Sequence, residues 1–264
     1  MFSLTSNVYL TVDHQSLGKV DKSTLSQETL MELFIDGINY RKPSWGTRER
    51  PREIVKWKGV ILNSSKEVTD IKWNDAELSG SINVQGLPVT TQKLILQSNN
   101  LTGSLNLALT PSSLYEINVS HNEFVGGIDL RELPIGMRKI DLWSNKFSGA
   151  VSLENLPPTL VRLDISGNAF CGTVCLWSLP KTLKTLRLDD NLFYGPIDVT
   201  CLPSSLWSCR LSRNNFCMST DFRFLPESLF EFYLSDTQLE GEIIAKAGTK
   251  EFVAERSYVR IQWT

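Results

Sequence analysis

The side chains that could do chemistry are few and scattered. There are five cysteines, an odd number: Cys171, Cys175, Cys201, Cys209 and Cys217. Cys171-x3-Cys175 suggests a metal, but no histidine stands nearby and no second pair has zinc-ligand spacing. They are expected to be reduced thiols, some of them small apolar fillers, with no metal and no cofactor. The two histidines are His14 and His121, and neither has a Ser or Cys at a fixed relation to it. A nucleophilic triad needs three groups held together. The adjacent carboxylates Asp189 and Asp190 fall at variable surface positions. The sequence therefore predicts no enzyme.

Charge and hydropathy narrow the partners. The net charge of −2 gives no bulk pull toward nucleic acid or an anionic membrane. No apolar run approaches the ~20 residues that cross a bilayer. Met1 to Leu10 has no basic start and no continuous apolar stretch, so the expected location is the cytoplasm or another intracellular compartment, not the secretory route. Three sequons, at Asn63, Asn100 and Asn118, matter only if the chain is secreted.

The elements that must position any site follow from a repeat. Asparagine recurs at one constant spacing, at Asn99, Asn122, Asn145, Asn168, Asn191 and Asn214, with Ala76 one step before and Thr237 one step after. In the unit around Asn168, Leu160, Leu163 and Ile165 precede it, and Phe170, Gly172, Val174 and Leu176 follow at spacing two, closed by Leu179-Pro180. Alternation at period two makes a strand with one buried face. One such coil cannot enclose a core, whereas eight stacked coils build a continuous one. The Asn column is predicted to satisfy backbone groups at the turns. The Phe column, Phe124 to Phe216, reads as a core spine. The Gly column, Gly80 to Gly195 and again Gly241, fits a bend with positive φ. Met218, Thr220 and Cys209 break their columns, predicting a local distortion near 216–222.

The L-x-x-L-x-L-x-x-N core, seen in each unit, resembles the leucine-rich repeat family, and the F-x-G-x-I extension resembles its plant-type class. The Leu-Pro step is also similar to intracellular repeat proteins of protists. The resemblance spans about residues 54–245 and implies an α/β repeat fold: a single curved solenoid with a parallel concave sheet, a helical amino-terminal cap and a β carboxyl-terminal cap. The expected division is a cap over 1–60, eight repeats over 61–245 and a closing cap over 246–264. Within the first cap, Thr24-x-x-Gln27 reads as a capping box opening a helix over about 25–38. Trp45 and Trp57-Lys58-Gly59-Val60 follow, an order that resembles the plant-type cap without its cysteine pair. Residues 1–22 alternate around Val8, Leu10 and Val12 as a candidate strand, and Arg41, Arg48, Arg50 and Arg52 form a basic loop. Tyr258 to Trp263 alternates as a strand covering the last coil.

Such a scaffold presents a surface. The residues between the buried leucines point outward, and among mostly polar filler Trp143 stands out, with Lys139, Arg162, Arg187 and Arg210 in neighbouring columns. Trp and Arg are enriched in binding hot spots. The predicted partner-binding face is Lys139, Asp141, Trp143, Arg162, Asp164, Arg187, Arg210 and Tyr233, with Asp141, Asp164 and Asp189 as neutralising charges and Ile95 as a lesser candidate. The expected function is a protein-interaction module. A structural subunit of an intracellular assembly and a secreted recognition domain are the alternatives.

Overall fold

The computed structural model describes residues 24–39, 42–47, 50–248 and 250–264. The candidate strand around Val8 to Val12, His14, Arg41 and Arg48 lie outside them. Among the described residues, the chain winds as a solenoid of parallel strands in two long sheets. The ten-stranded sheet opens with an antiparallel hairpin, Val60–Leu62 on Val68–Lys72, and then runs parallel from coil to coil. Asp70 stands beside Lys93 in the first of these steps. Ser208 stands beside Glu231 in a later one, a separation of 23 residues. The opposite wall holds a seven-stranded sheet from Val125–Gly126 to Tyr258–Trp263 and a two-stranded piece, Ser79–Ser81 with Asn100–Thr102.

Two columns fill the space between. The rings of Phe124, Phe147, Phe170, Phe193 and Phe216 stack at 6.1–6.4 Å between centroids, all fully buried. Each Asn ties the backbone of its own coil to that of the coil before. Asn191 Oδ1 accepts from the Phe170 N–H at 3.0 Å, while its Nδ2 donates to the carbonyls of Ile165 and Leu188 at 3.0 and 3.1 Å. Thr237 ends that ladder, its hydroxyl donating to Leu234 O. A second ladder went unread in the sequence: the hydroxyls of Ser113, Thr159, Thr182 and Ser205 each lie within hydrogen-bond distance of two carbonyls of the preceding coil, one donated hydrogen being shared between the two.

The amino-terminal helix runs Gln27–Phe34. Its N-cap is Ser26, whose hydroxyl accepts from the Thr29 N–H, rather than the expected Thr24. Gln27 has a long-range task instead: its amide bonds Lys66 O and the Val68 N–H, fastening the helix to the hairpin. Beneath lie Trp45, Trp57 and Trp73, all buried, with centroids 4.5–6.4 Å apart. Of the basic loop, the Arg52 backbone contributes to this cap, bonding Trp45 O and the Trp57 indole N–H.

The seventh unit keeps its register, with Cys217 beside Gln238 and Met218 beside Leu239. The irregularity expected near 216–222 is local: Met218 holds φ at 76°, and the Thr220 hydroxyl is buried without a partner. At the carboxyl end, Glu251–Val253 extends the ten-stranded sheet beside Glu231–Tyr233. The step from Glu231 to Glu251 is shorter than the regular step from Ser208 to Glu231. The closing strand Tyr258–Trp263 pairs along Gln238–Ala245. The expected closing strand is present, and together with Glu251–Val253 it forms a shortened further coil at this end.

Candidate functional site

Each coil contributes a short segment to the concave face, with a leucine-type residue pointing in and its neighbours pointing out. The predicted face residues do share this surface, and most are already engaged with one another. Glu116 sits between Lys93 at 3.4 Å and Lys139 at 3.5 Å. Arg162 bridges Asp141 at 3.3 Å and Asp164 at 2.8 Å, and Arg187 lies 3.6 Å from Asp164. Arg210 pairs with Glu231 at 3.1 Å and lies over the Tyr233 ring, whose hydroxyl bonds Glu251. Burial and then Glu251 push the Tyr233 hydroxyl up to about 12.

The acids have a local duty that the sequence reading missed. Asp164 is only 1% exposed. Its Oδ1 accepts from the Ser166 N–H and hydroxyl, closing the turn at the strand's end. Asn118 does the same for Ser120, and Asp141 accepts from the Trp143 N–H. These residues are turn-closers first. The signal was readable as an Asx at the same place in three successive units, followed two residues on by Ser120, Trp143 and Ser166. Burial raises the Asp141 carboxyl, the nearby Asp164 raises it further, and Arg162 opposes both.

Trp143 is the exception in this ladder, a large aromatic that is 44% exposed. The His121 ring packs edge-on at 4.0 Å, in the preceding coil. In the next coil stands Gly167, where a Cβ would come within 3.2 Å of the indole. The tryptophan is therefore flanked by His121 in one coil and by Gly167 in the next, and it remains 44% exposed between them. His121 and Gly167 were not among the expected site residues. Their signal was positional, since both lie one place before the Asn column, next to the Trp143 position. Ile95 is half-buried and contributes backbone pairing. Beyond the sheet's edge, Trp207 and Phe230 stack at 5.3 Å, also unanticipated.

Among the described residues no group of three or more His, Cys, Asp or Glu is arranged to hold a metal ion. The Cys209 thiol is fully buried and pushed up to about 12 by that burial. No described helix is long and apolar enough to cross a membrane.

No protein-family model matches this chain, and no curated protein does. Solved structures match it. The plant peptide hormone receptor RGFR1, solved in complex with RGF2, is 21% identical over 69% of this chain and 31% of that one, with a TM-score of 0.51. Pollen Receptor Kinase 3 is 20% identical over 88% of this chain and 95% of that one, with a TM-score of 0.52. The chain has the leucine-rich-repeat fold. It spans under a third of the matched RGFR1 chain and nearly all of the matched Pollen Receptor Kinase 3 chain. A third match is the BIR2 ectodomain from Arabidopsis thaliana, 21% identical over 56% of this chain and 83% of that one, at a TM-score of 0.46.

These neighbours are plant receptors, and they overturn the intracellular expectation. The missing cysteine pair of the cap is not evidence for that expectation either. The leucine-rich-repeat cap here is held by three packed tryptophans and the Gln27 bonds instead, so the lack of a disulfide reports a different way of closing the end and not a compartment.

Proposed function

We propose that this leucine-rich-repeat chain is a non-catalytic recognition domain of the extracellular type, binding a peptide or protein along its concave face with Trp143 as the anchor. The carrying observation is the half-exposed indole, braced by His121 and bordered by Gly167, on a face where the surrounding charges are paired off. A rigid aromatic with little rotamer freedom left to lose is well suited to drive association. The ladder on either side sets register and excludes mismatched charges more than it supplies affinity. The match to RGFR1, a peptide hormone receptor solved in complex with RGF2, supports a peptide as the class of partner. Asn63 and Asn100, both exposed sequons, are compatible with the secretory route.

The test is affinity capture of partners from the extracellular fraction of the source cells, followed by titration of the captured partner against wild type and Trp143→Ala. Loss of a hot-spot tryptophan costs about 2 kcal/mol or more, a drop in affinity beyond tenfold. A partner bound equally by the variant sinks the anchor. Native protein without any glycan at Asn63 or Asn100, found only inside cells, sinks the extracellular setting.

A further inference from the structure

At its carboxyl-terminal end the concave face opens into a cavity of about 270 Å³. Its floor is the column Asp189, Ser212, Ser235 and Glu255, one residue per coil, with carboxylates at the two ends and small hydroxyls between. Arg210 and Tyr233 form one wall. Arg213, Asp236 and Arg256 form the other.

Three arginines line this space, which at first suggests an anion site. Each already holds a carboxylate, and of their donors Arg210 Nε is shielded without a partner. Arg210 pairs with Glu231 at 3.1 Å, Arg213 with Asp190 at 3.1 Å and Asp236 at 3.8 Å, and Arg256 with Asp236 at 2.5 Å. The carboxylates at the ends of the floor have no such mate: among the described residues neither Asp189 nor Glu255 forms an ion pair. Asp189 Oδ1 and Ser212 Oγ are both shielded from solvent without a hydrogen-bond partner. A shielded carboxylate oxygen and hydroxyl left unsatisfied cost free energy that a donor would recover. Burial, first of all, keeps the Asp189 carboxyl raised, with Asp164 and Asp190 adding to it, while its own backbone N–H and the Arg210 charge oppose the rise.

We infer that this trough is a subsite for a cationic side chain, lysine or arginine, of the partner. The inference rests on the concave-face reading and gives it a polarity: the aromatic anchor engages at Trp143 and the basic residue toward the carboxyl-terminal coils. An ammonium or guanidinium donates to Asp189 and to the serine hydroxyl, while the paired arginine walls hold their own counter-charges and stay in place. An acidic ligand would find Arg210 Nε as a shielded, unpartnered guanidinium donor, would otherwise have to displace Glu231 or Asp236 from their arginines, and would meet the Asp189 carboxylate beside it.

The probe is a pair of blocked pentapeptides, Gly-Ser-Lys-Ser-Gly and the same sequence with Glu in the centre, titrated into the full chain while backbone amide NMR shifts are followed. The expected result is saturable shifts at Asp189, Ser212, Ser235 and Glu255 for the lysine peptide alone. Asp189→Asn and Glu255→Gln each weaken it roughly three- to tenfold. Equal or tighter binding of the glutamate peptide, or lysine-peptide shifts lying elsewhere, overturns the assignment. A captured partner that needs Trp143 while the lysine peptide fails would keep the recognition reading and remove the subsite. A lysine peptide that binds here while no partner needs Trp143 would do the reverse.

Discussion

Met218 stands one coil after Gly195 and holds the same left-handed backbone, φ 76° against 84°. Every earlier unit from Gly80 onward uses glycine at this bend. The stack dictates the conformation because the strand on either side stays in register. An unbranched side chain with a Cβ tolerates that region only at a cost of order 1 kcal/mol. The Met218 side chain is 60% exposed, so little burial compensates. Met218→Gly is expected to stabilise the chain by about 1 kcal/mol, read as a higher urea midpoint with an unchanged slope. A lower midpoint would mean that methionine packs to more effect than its exposure indicates.

The Asn ladder makes a sharper demand. Asn191 uses both ends of its amide, and removing it leaves the Phe170 N–H and the carbonyls of Ile165 and Leu188 short of partners inside the stack. Each buried orphan costs about 1–3 kcal/mol. Asn191→Ala should lose about 3 kcal/mol in denaturant unfolding. Asn191→Asp is the informative companion, since it keeps the acceptor and loses the donors. A loss similar to that of alanine assigns the role to the donated bonds, whereas near-wild-type stability would contradict that assignment.

How far this was legible beforehand depended on whether a job repeats. Asn191, Phe170 and Gly195 each perform the task of their column, so the period exposed all three. The outward position of Trp143 followed from the same alternation. Features that occur once were hidden. Gln27 fastens the helix to Val68 across 41 residues, and nothing local announces it. The last coil was obscured because its step, Glu231 to Glu251, is shortened and breaks the period that revealed the rest. Asp141 and Asp164 were read as partner-facing charges because composition marks them as ions, while their bonds to Trp143 and Ser166 make them turn-closers. The packing of His121 on Trp143 depends on the lateral offset between coils, which the sequence does not express.

Asp189 carries a pH dependence whose sign can be worked out. Its carboxyl is raised in the folded chain, chiefly by burial, and has the ordinary value when unfolded. The folded state therefore holds its proton more tightly, and this residue's contribution to stability falls as pH rises from the ordinary carboxylate range through the raised value. At neutral pH the ionised form is a small liability. Asp189→Asn should be more stable than wild type by about 0.5 kcal/mol near pH 7, with the difference shrinking as the pH is lowered toward 4. Thermal unfolding of both proteins across that range measures it. A gap that widens on acidification would reverse the sign and show that Asp189 is stabilised as an anion.

The space beside Trp143 can be tested without touching the tryptophan. Gly167 has φ at 60°, and a Cβ there would meet the indole at 3.2 Å and the Ser144 backbone nitrogen at 3.3 Å. Both the backbone strain and the crowding act against alanine, at a combined cost of about 1–2 kcal/mol. Relief comes most readily from the indole, which is 44% exposed, whereas Ser144 is tied into the ladder by its bond to Ser166 O. Gly167→Ala should therefore rotate Trp143 and shift its fluorescence, and weaken partner binding several-fold while the circular dichroism spectrum is retained. If stability falls but fluorescence and binding are unaltered, the glycine serves only the backbone and the open indole face plays no part in recognition.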